Sequence, residues 1–142
     1  MDRGMKAILL SLVVALLMLG CGETAVDYSK LQNRNGLKYL PNEETPFTGR
    51  AVRLYENGQK QGELNYKDGK YHGLWTSWYE NGQKETEGNW KDGKLMSMEI
   101  WEPNGEKCPV TNVKDGNGGL VLYNEDGTEK VRMTYKDGKV VD

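Results

Sequence analysis

The chain has 142 residues, with 19 Lys and Arg against 21 Asp and Glu and a formal net charge of −2. That balance leaves no basic surplus to neutralise a phosphate backbone, so nucleic acid is not an expected partner. A single His and two Cys cannot make up a zinc set and leave little for His-dependent nucleophilic catalysis.

Arg3 and Lys6 precede an apolar run from Ala7 to Leu19 that is interrupted only by Ser11. The run is shorter than the about 20 residues needed to cross a bilayer core of about 30 Å. A basic start and a short apolar helix are instead the pattern of an export signal, expected over residues 1–20, with Met5 as an alternative start. The run ends at Met18-Leu19-Gly20-Cys21, which resembles the bacterial lipobox in Gly20 and Cys21 and departs from it in Met18 and Leu19. The resemblance implies a lipid on Cys21 and a protein held in the bacterial cell envelope by an anchor of several acyl chains, which is stable where one chain is marginal. Gly22 stands where Asp would favour the inner membrane, so the outer membrane is expected in a Gram-negative host. The alternative is an ordinary signal cut after Gly22 and a soluble periplasmic or secreted protein. Residues 21–34 show no period and read as a flexible tether between the lipid and the fold.

Residues 35–142 form the third expected unit, a repeat domain. Tyr55-Glu56-Asn57-Gly58-Gln59-Lys60 returns unchanged as Tyr79-Glu80-Asn81-Gly82-Gln83-Lys84, and in altered form around Gly105 and Gly127. Lys-Asp-Gly follows each copy, at Gly69, Gly93, Gly116 and Gly138, always eleven residues after the head glycine. Asn-Gly and Asp-Gly are preferred in two-residue type I′ hairpin turns, where both central residues take positive φ. The heads, the Lys-Asp-Gly triplets and Asn35-Gly36 are all expected to form such turns. Between them the residues alternate: Leu64 and Tyr66 against Glu63, Asn65 and Lys67, and Val131, Met133 and Tyr135 against Arg132, Thr134 and Lys136. Tyr66, Trp90, Val113 and Tyr135 recur three residues before each triplet glycine and should form an apolar column across the strands. The expected fold is all-β, an elongated antiparallel meander of repeated β-hairpins, with the signal helix in front. In such an array no single repeat can bury its own core, and a deep catalytic pocket has no natural place.

Tyr55-Glu56-Asn57-Gly58, His72-Gly73-Leu74-Trp75 and Gly88-Asn89-Trp90-Lys91-Asp92-Gly93-Lys94 resemble the MORN repeat, and most closely its bacterial variant, a family labelled as an antitoxin component. Phe47 to Val52 looks like a lead-in repeat of the same kind. The resemblance spans roughly residues 36–138 and implies a hairpin sheet that binds proteins, with a toxin-like partner as the family's label suggests. The third copy departs from the pattern: Met96-Ser97-Met98 replaces His-Gly-Leu, Pro103 is inserted, and Pro109 breaks the next strand.

No acid–base pair, phosphate loop or metal set emerges, so no cofactor and no metal are expected. His72 precedes a turn glycine and reads as structural. Asp115-Gly116-Asn117-Gly118-Gly119 fails the calcium-loop pattern and reads as a turn. Cys108 reads as apolar filler beside Pro109. The candidate binding surface is aromatic: Trp75, Trp78, Tyr79 and Trp101. Trp75 and Trp78 have opposite parity on one strand, so at least one must lie on a second covered face or be exposed. The expected function is non-enzymatic protein binding at the envelope. The alternative is a structural scaffold that self-associates through edge strands, and a more remote one is an enzyme with an unrecognised site.

Overall fold

The computed structural model describes residues 24–141, so the signal segment 1–20 and Cys21 lie outside the described residues. β1 (Val26–Asp27) leads into a single 3-10 turn (Tyr28–Lys30), followed by a small hairpin of β2 (Gln32–Arg34) and β3 (Leu37–Tyr39). Four long strands come next: β4 (Gly49–Leu54), β5 (Lys60–Lys67), β6 (Lys70–Trp78) and β7 (Lys84–Lys91). β8 (Lys94–Ile100) completes a six-stranded sheet in the order β1-β4-β5-β6-β7-β8. β9 (Gly118–Tyr123), β10 (Glu129–Lys136) and β11 (Lys139–Val140) form a separate three-stranded sheet. Among the described residues no helix is long and apolar enough to cross a membrane.

The meander from β4 to β8 is antiparallel throughout, as the alternating pattern requires. Three features differ from the sequence reading. First, residues 26–34 are part of the fold and not a tether. Val26 and Asp27 pair in parallel with Ala51 and Val52. Asp27 accepts from the Ser29 backbone at 2.8 Å and so caps the 3-10 turn. Leu31 is buried, and Val26 and Tyr28 pack against the same cluster. Val26, Tyr28 and Leu31 make no visible period in this segment, yet they suffice to cover the edge of β4.

Second, the two kinds of turn are not alike. The Lys-Asp-Gly turns and Asn35-Gly36 have positive φ at both central residues, for example 49° at Asp68 and 77° at Gly69. The heads have it only at glycine, 82° at Gly58 and 84° at Gly82. Gly58 N donates to the Tyr55 oxygen at 2.9 Å and Gln59 N to Asn57 Oδ1 at 2.9 Å. Asn81, Asn104 and Asp126 accept in the same way. This is a three-residue loop closed by a left-handed glycine, with the Asn or Asp side chain, not its φ, making the turn.

Third, the array does not run on as one sheet. After β8 only isolated bridges remain, Met98 to Val113, Trp101 to Lys107 and Lys114 to Asn117. Pro103 and Pro109 withhold backbone donors where the third hairpin would need them. The last three strands form their own sheet and pack on the first.

The core follows from this. Leu31, Phe47, Ala51, Leu64 and Tyr66 form one cluster near the N-terminus. Leu95, Met98, Ile100, Cys108, Val113, Leu120, Val121 and Tyr135 form the other, between the sheets. The predicted column lies within these clusters or against them, with Trp90 half-buried at the second. An aromatic chain continues it: Phe47 to Tyr66 at 5.8 Å, Tyr66 to Tyr71 at 5.0 Å, Tyr71 to Trp90 at 5.1 Å and Trp90 to Trp75 at 5.7 Å.

Candidate functional site

Register assigns every side chain of the first sheet to one of two faces. The inner face carries the core. One row across it is Ala51, Leu64, Trp75, Gly88 and Met98, and the next is Arg53, Gly62, Ser77, Thr86 and Ile100. The outer face carries Val52, Glu63, Thr76, Glu87 and Glu99, flanked by a row that includes Leu74.

The four candidate aromatics do not form one surface. Trp75 is on the inner face and packs against both core clusters, so it joins them. Tyr79 is 3% exposed, and its hydroxyl donates to the Trp101 backbone oxygen at 2.7 Å. Tyr55 does the same to Trp78 at 2.7 Å, so these tyrosines tie each head to the next repeat. Trp78 and Trp101 are half-buried on the outer face, and only they remain as candidates for an exposed surface.

Those two belong to a ladder. Leu54 pairs with Lys60, Trp78 with Lys84 and Trp101 with Lys107. Lys60 Nζ stands 5.8 Å from the Trp78 ring centre and Lys84 Nζ 5.0 Å from that of Trp101, each lysine crossing to the next repeat. The same lysines reach Glu63 and Glu87 at 2.7 Å. Leu54 is 55% exposed and Leu74 46%, so apolar and cationic groups alternate on this face.

The inner face holds a different site. At each head one residue is bulged out of register: Gln61 between Lys60 and Gly62, Glu85 between Lys84 and Thr86, and Lys130 between Glu129 and Val131. Cys108 occupies the matching place after Lys107. A bulge re-aims its side chain, and Gln61 and Glu85 both turn to the inner face. There they line a cleft of about 220 Å³ with Tyr28, Arg53, Leu64, Tyr71, Trp75 and Leu122. Gly62 leaves its floor open, since a Cβ there would meet nothing nearer than 3.8 Å. Ser77 and Thr86 are buried on the floor with their hydroxyls 2.7 Å apart, and Ser77 donates to Glu85 Oε2 at 2.9 Å. Burial, then the Glu85 and Glu125 carboxylates, hold the Tyr79 phenol above its ordinary pKa and place negative potential at this end. Arg53 lies at the other end over the Tyr28 ring, 5.9 Å from its centre. None of Tyr28, Arg53, Gln61 and Glu85 was singled out from the sequence. The available signal was a break in alternation at the same place after two identical heads.

His72 and Cys108 take structural places. His72 Nδ1 accepts from the Asp92 backbone at 3.4 Å, as Thr48 Oγ1 does from Asp68 at 2.9 Å and Asn117 Oδ1 from Asp137 at 3.2 Å, so all three cap a neighbouring Lys-Asp-Gly turn. Cys108 is 2% exposed within the second cluster. Its burial would raise the thiol pKa, but hydrogen bonds from Thr111, Tyr123 and the Val110 and Thr111 backbone bring it below the ordinary value. Among the described residues no three His, Cys, Asp or Glu gather as a metal set.

Comparison with known proteins points to the same hairpins. Residues 47–68 and 71–92 match the family model of the MORN repeat variant. The matches fall on the β4–β5 and β6–β7 hairpins, so the centre of the first sheet is similar to MORN-type repeats. No curated protein and no solved structure matches the chain.

Proposed function

We propose that this is a binding protein without catalytic activity, tethered to the bacterial envelope through a lipid on Cys21, that presents the outer face of its first sheet to a protein partner. The observation that carries this is the outer ladder, in which Trp78 and Trp101 are half-buried beneath lysines of the preceding repeat beside exposed Leu54. Trp packed on one side and open on the other is the usual anchor of a protein interface. A binding role is compatible with MORN-type repeats. A toxin-like protein is the partner class that the resemblance to the antitoxin-labelled variant implies. The scaffold alternative has less support, because β1 and β11, at one end of each main sheet, are only two residues long, and β8 and β9, at the other ends, are partly covered by the segment between them, through Met98 to Val113 and Asn112 to Gly119.

The test is recovery of a partner from envelope extract by the immobilised chain, followed by binding measurements with the purified partner. Trp78→Ala and Trp101→Ala should each weaken it by about tenfold or more, and Val131→Ser, in the second sheet, should leave it unchanged. Unaltered binding in both Trp variants would refute the outer-face reading. Separately, Cys21→Ala should move the protein from the membrane to the soluble fraction, and persistent membrane retention would remove the lipid anchor from the proposal.

A further inference from the structure

The cleft on the inner face is not used by the outer ladder, and its chemistry is specific. Two groups of opposite charge flank the open floor at Gly62. Among the described residues Arg53 has no carboxylate partner, and its guanidinium rests on Tyr28. Glu85 has no cationic partner and is held in place by Ser77. A half-buried carboxylate without a cation lacks part of its solvation, and a ligand cation would restore it. Tyr71 and Trp75, stacked at 6.1 Å with 6° between their planes, form an apolar wall alongside.

Arg53 is on β4 and Glu85 on β7, so their backbones stand three inter-strand steps or about 14 Å apart across the sheet, and both side chains reach into the cleft between. A short extended peptide can lie along this direction with one terminus toward each charge.

We propose that this cleft binds a short peptide with both termini free, its carboxylate on Arg53, its ammonium group on Glu85 and its side chains against Tyr71 and Trp75 above Gly62. Selectivity follows from both termini, because a charge capped at either end leaves its protein partner without a counter-ion. Gln61 faces the peptide unit between with both a donor and an acceptor, while the Ser77–Thr86 hydroxyls, their protons engaged with Glu85 and with each other, are left to accept.

Calorimetric titration of the purified full chain with leucyl-leucine tests this, with its N-acetyl and C-amide forms as the other arms. Saturable one-to-one binding of the free dipeptide is expected, weakened at least tenfold by either cap. Glu85→Gln should abolish the discrimination against the acetyl form and Arg53→Gln that against the amide. Gly62→Val should remove binding by filling the floor, at a backbone position without positive φ and with room for the new Cβ. If that variant fails to fold, the two Gln variants carry the test alone. Absence of saturable binding, equal binding of free and capped forms, or undiminished binding in a folded Gly62→Val would each overturn the proposal. Partner capture through Trp78 and Trp101 should persist in Glu85→Gln, so failure here is distinguishable from failure of the outer-face reading.

Discussion

Ile100→Ala is expected to cost about 3 to 5 kcal/mol of folding stability, near the upper end for truncating a fully buried branched side chain. Ile100 is 0% exposed and ends the inner-face row beside Thr86. Its backbone oxygen accepts from Cys108 at 2.8 Å, and its side chain sits in the cluster that also contains Leu120, Val121 and Tyr135 of the second sheet. Truncation therefore opens a cavity between two sheets whose backbones are held on both sides, where collapse is limited. Urea denaturation followed by tryptophan fluorescence would measure the loss. Val131→Ala, at a position 37% exposed, should change stability by no more than about 0.5 kcal/mol. Because Trp75 packs against both clusters, the wild type should unfold in one transition. An Ile100→Ala loss below about 1 kcal/mol, or a wild type with two separated transitions, would show that the second sheet is not packed as described.

A comparison of Gly138→Ala with Gly127→Ala is expected to show the second large effect. Both glycines have positive φ, 77° and 82°, and an L residue there costs about 1 to 2 kcal/mol. The surroundings differ. A Cβ at Gly127 meets nothing within 4 Å, whereas one at Gly138 would stand 2.7 Å from Lys94 Cβ and 3.0 Å from the Leu95 backbone oxygen. Gly138 also donates to the Gly116 oxygen at 2.8 Å and accepts from Leu95 at 3.1 Å. This turn is the backbone seam between the two sheets, so Gly138→Ala should displace it and cost about 2 to 4 kcal/mol against about 1 for Gly127→Ala. Equal melting temperatures for the two variants would mean that the seam gives way without cost.

The hairpins were legible from the sequence for local reasons. Asp68-Gly69 and its equivalents specify a type I′ turn by themselves, and Leu64 and Tyr66 against Glu63 and Asn65 specify a strand with one dry face. The head turns were misread because Asn57 and Asn81 bond through their side chains, a choice that composition alone does not reveal. The candidate aromatics were half legible. Parity separated Trp75 from Trp78, but it could not say that Trp75 joins two cores while Trp78 lies under Lys60. The cleft was not legible at all. Its walls come from the 3-10 turn, four strands and the second sheet, and two of its polar lining residues, Gln61 and Glu85, depend on single-residue bulges that move them out of alternation.

The sequence by itself determined the unit of this protein: a hairpin with a constant eleven-residue step between its turns, an apolar column on one face and polar residues on the other. Those properties depend on backbone sterics and on a side-chain period of two, which act between near neighbours. The tertiary structure alone decided what covers each face. It brought Val26 to Leu31 back onto β4 in parallel, separated β9 to β11 into a second sheet, and left the inner face open over Gly62. Such outcomes are set by burial between residues far apart in the chain, where a few apolar side chains without any period are enough to choose the partner.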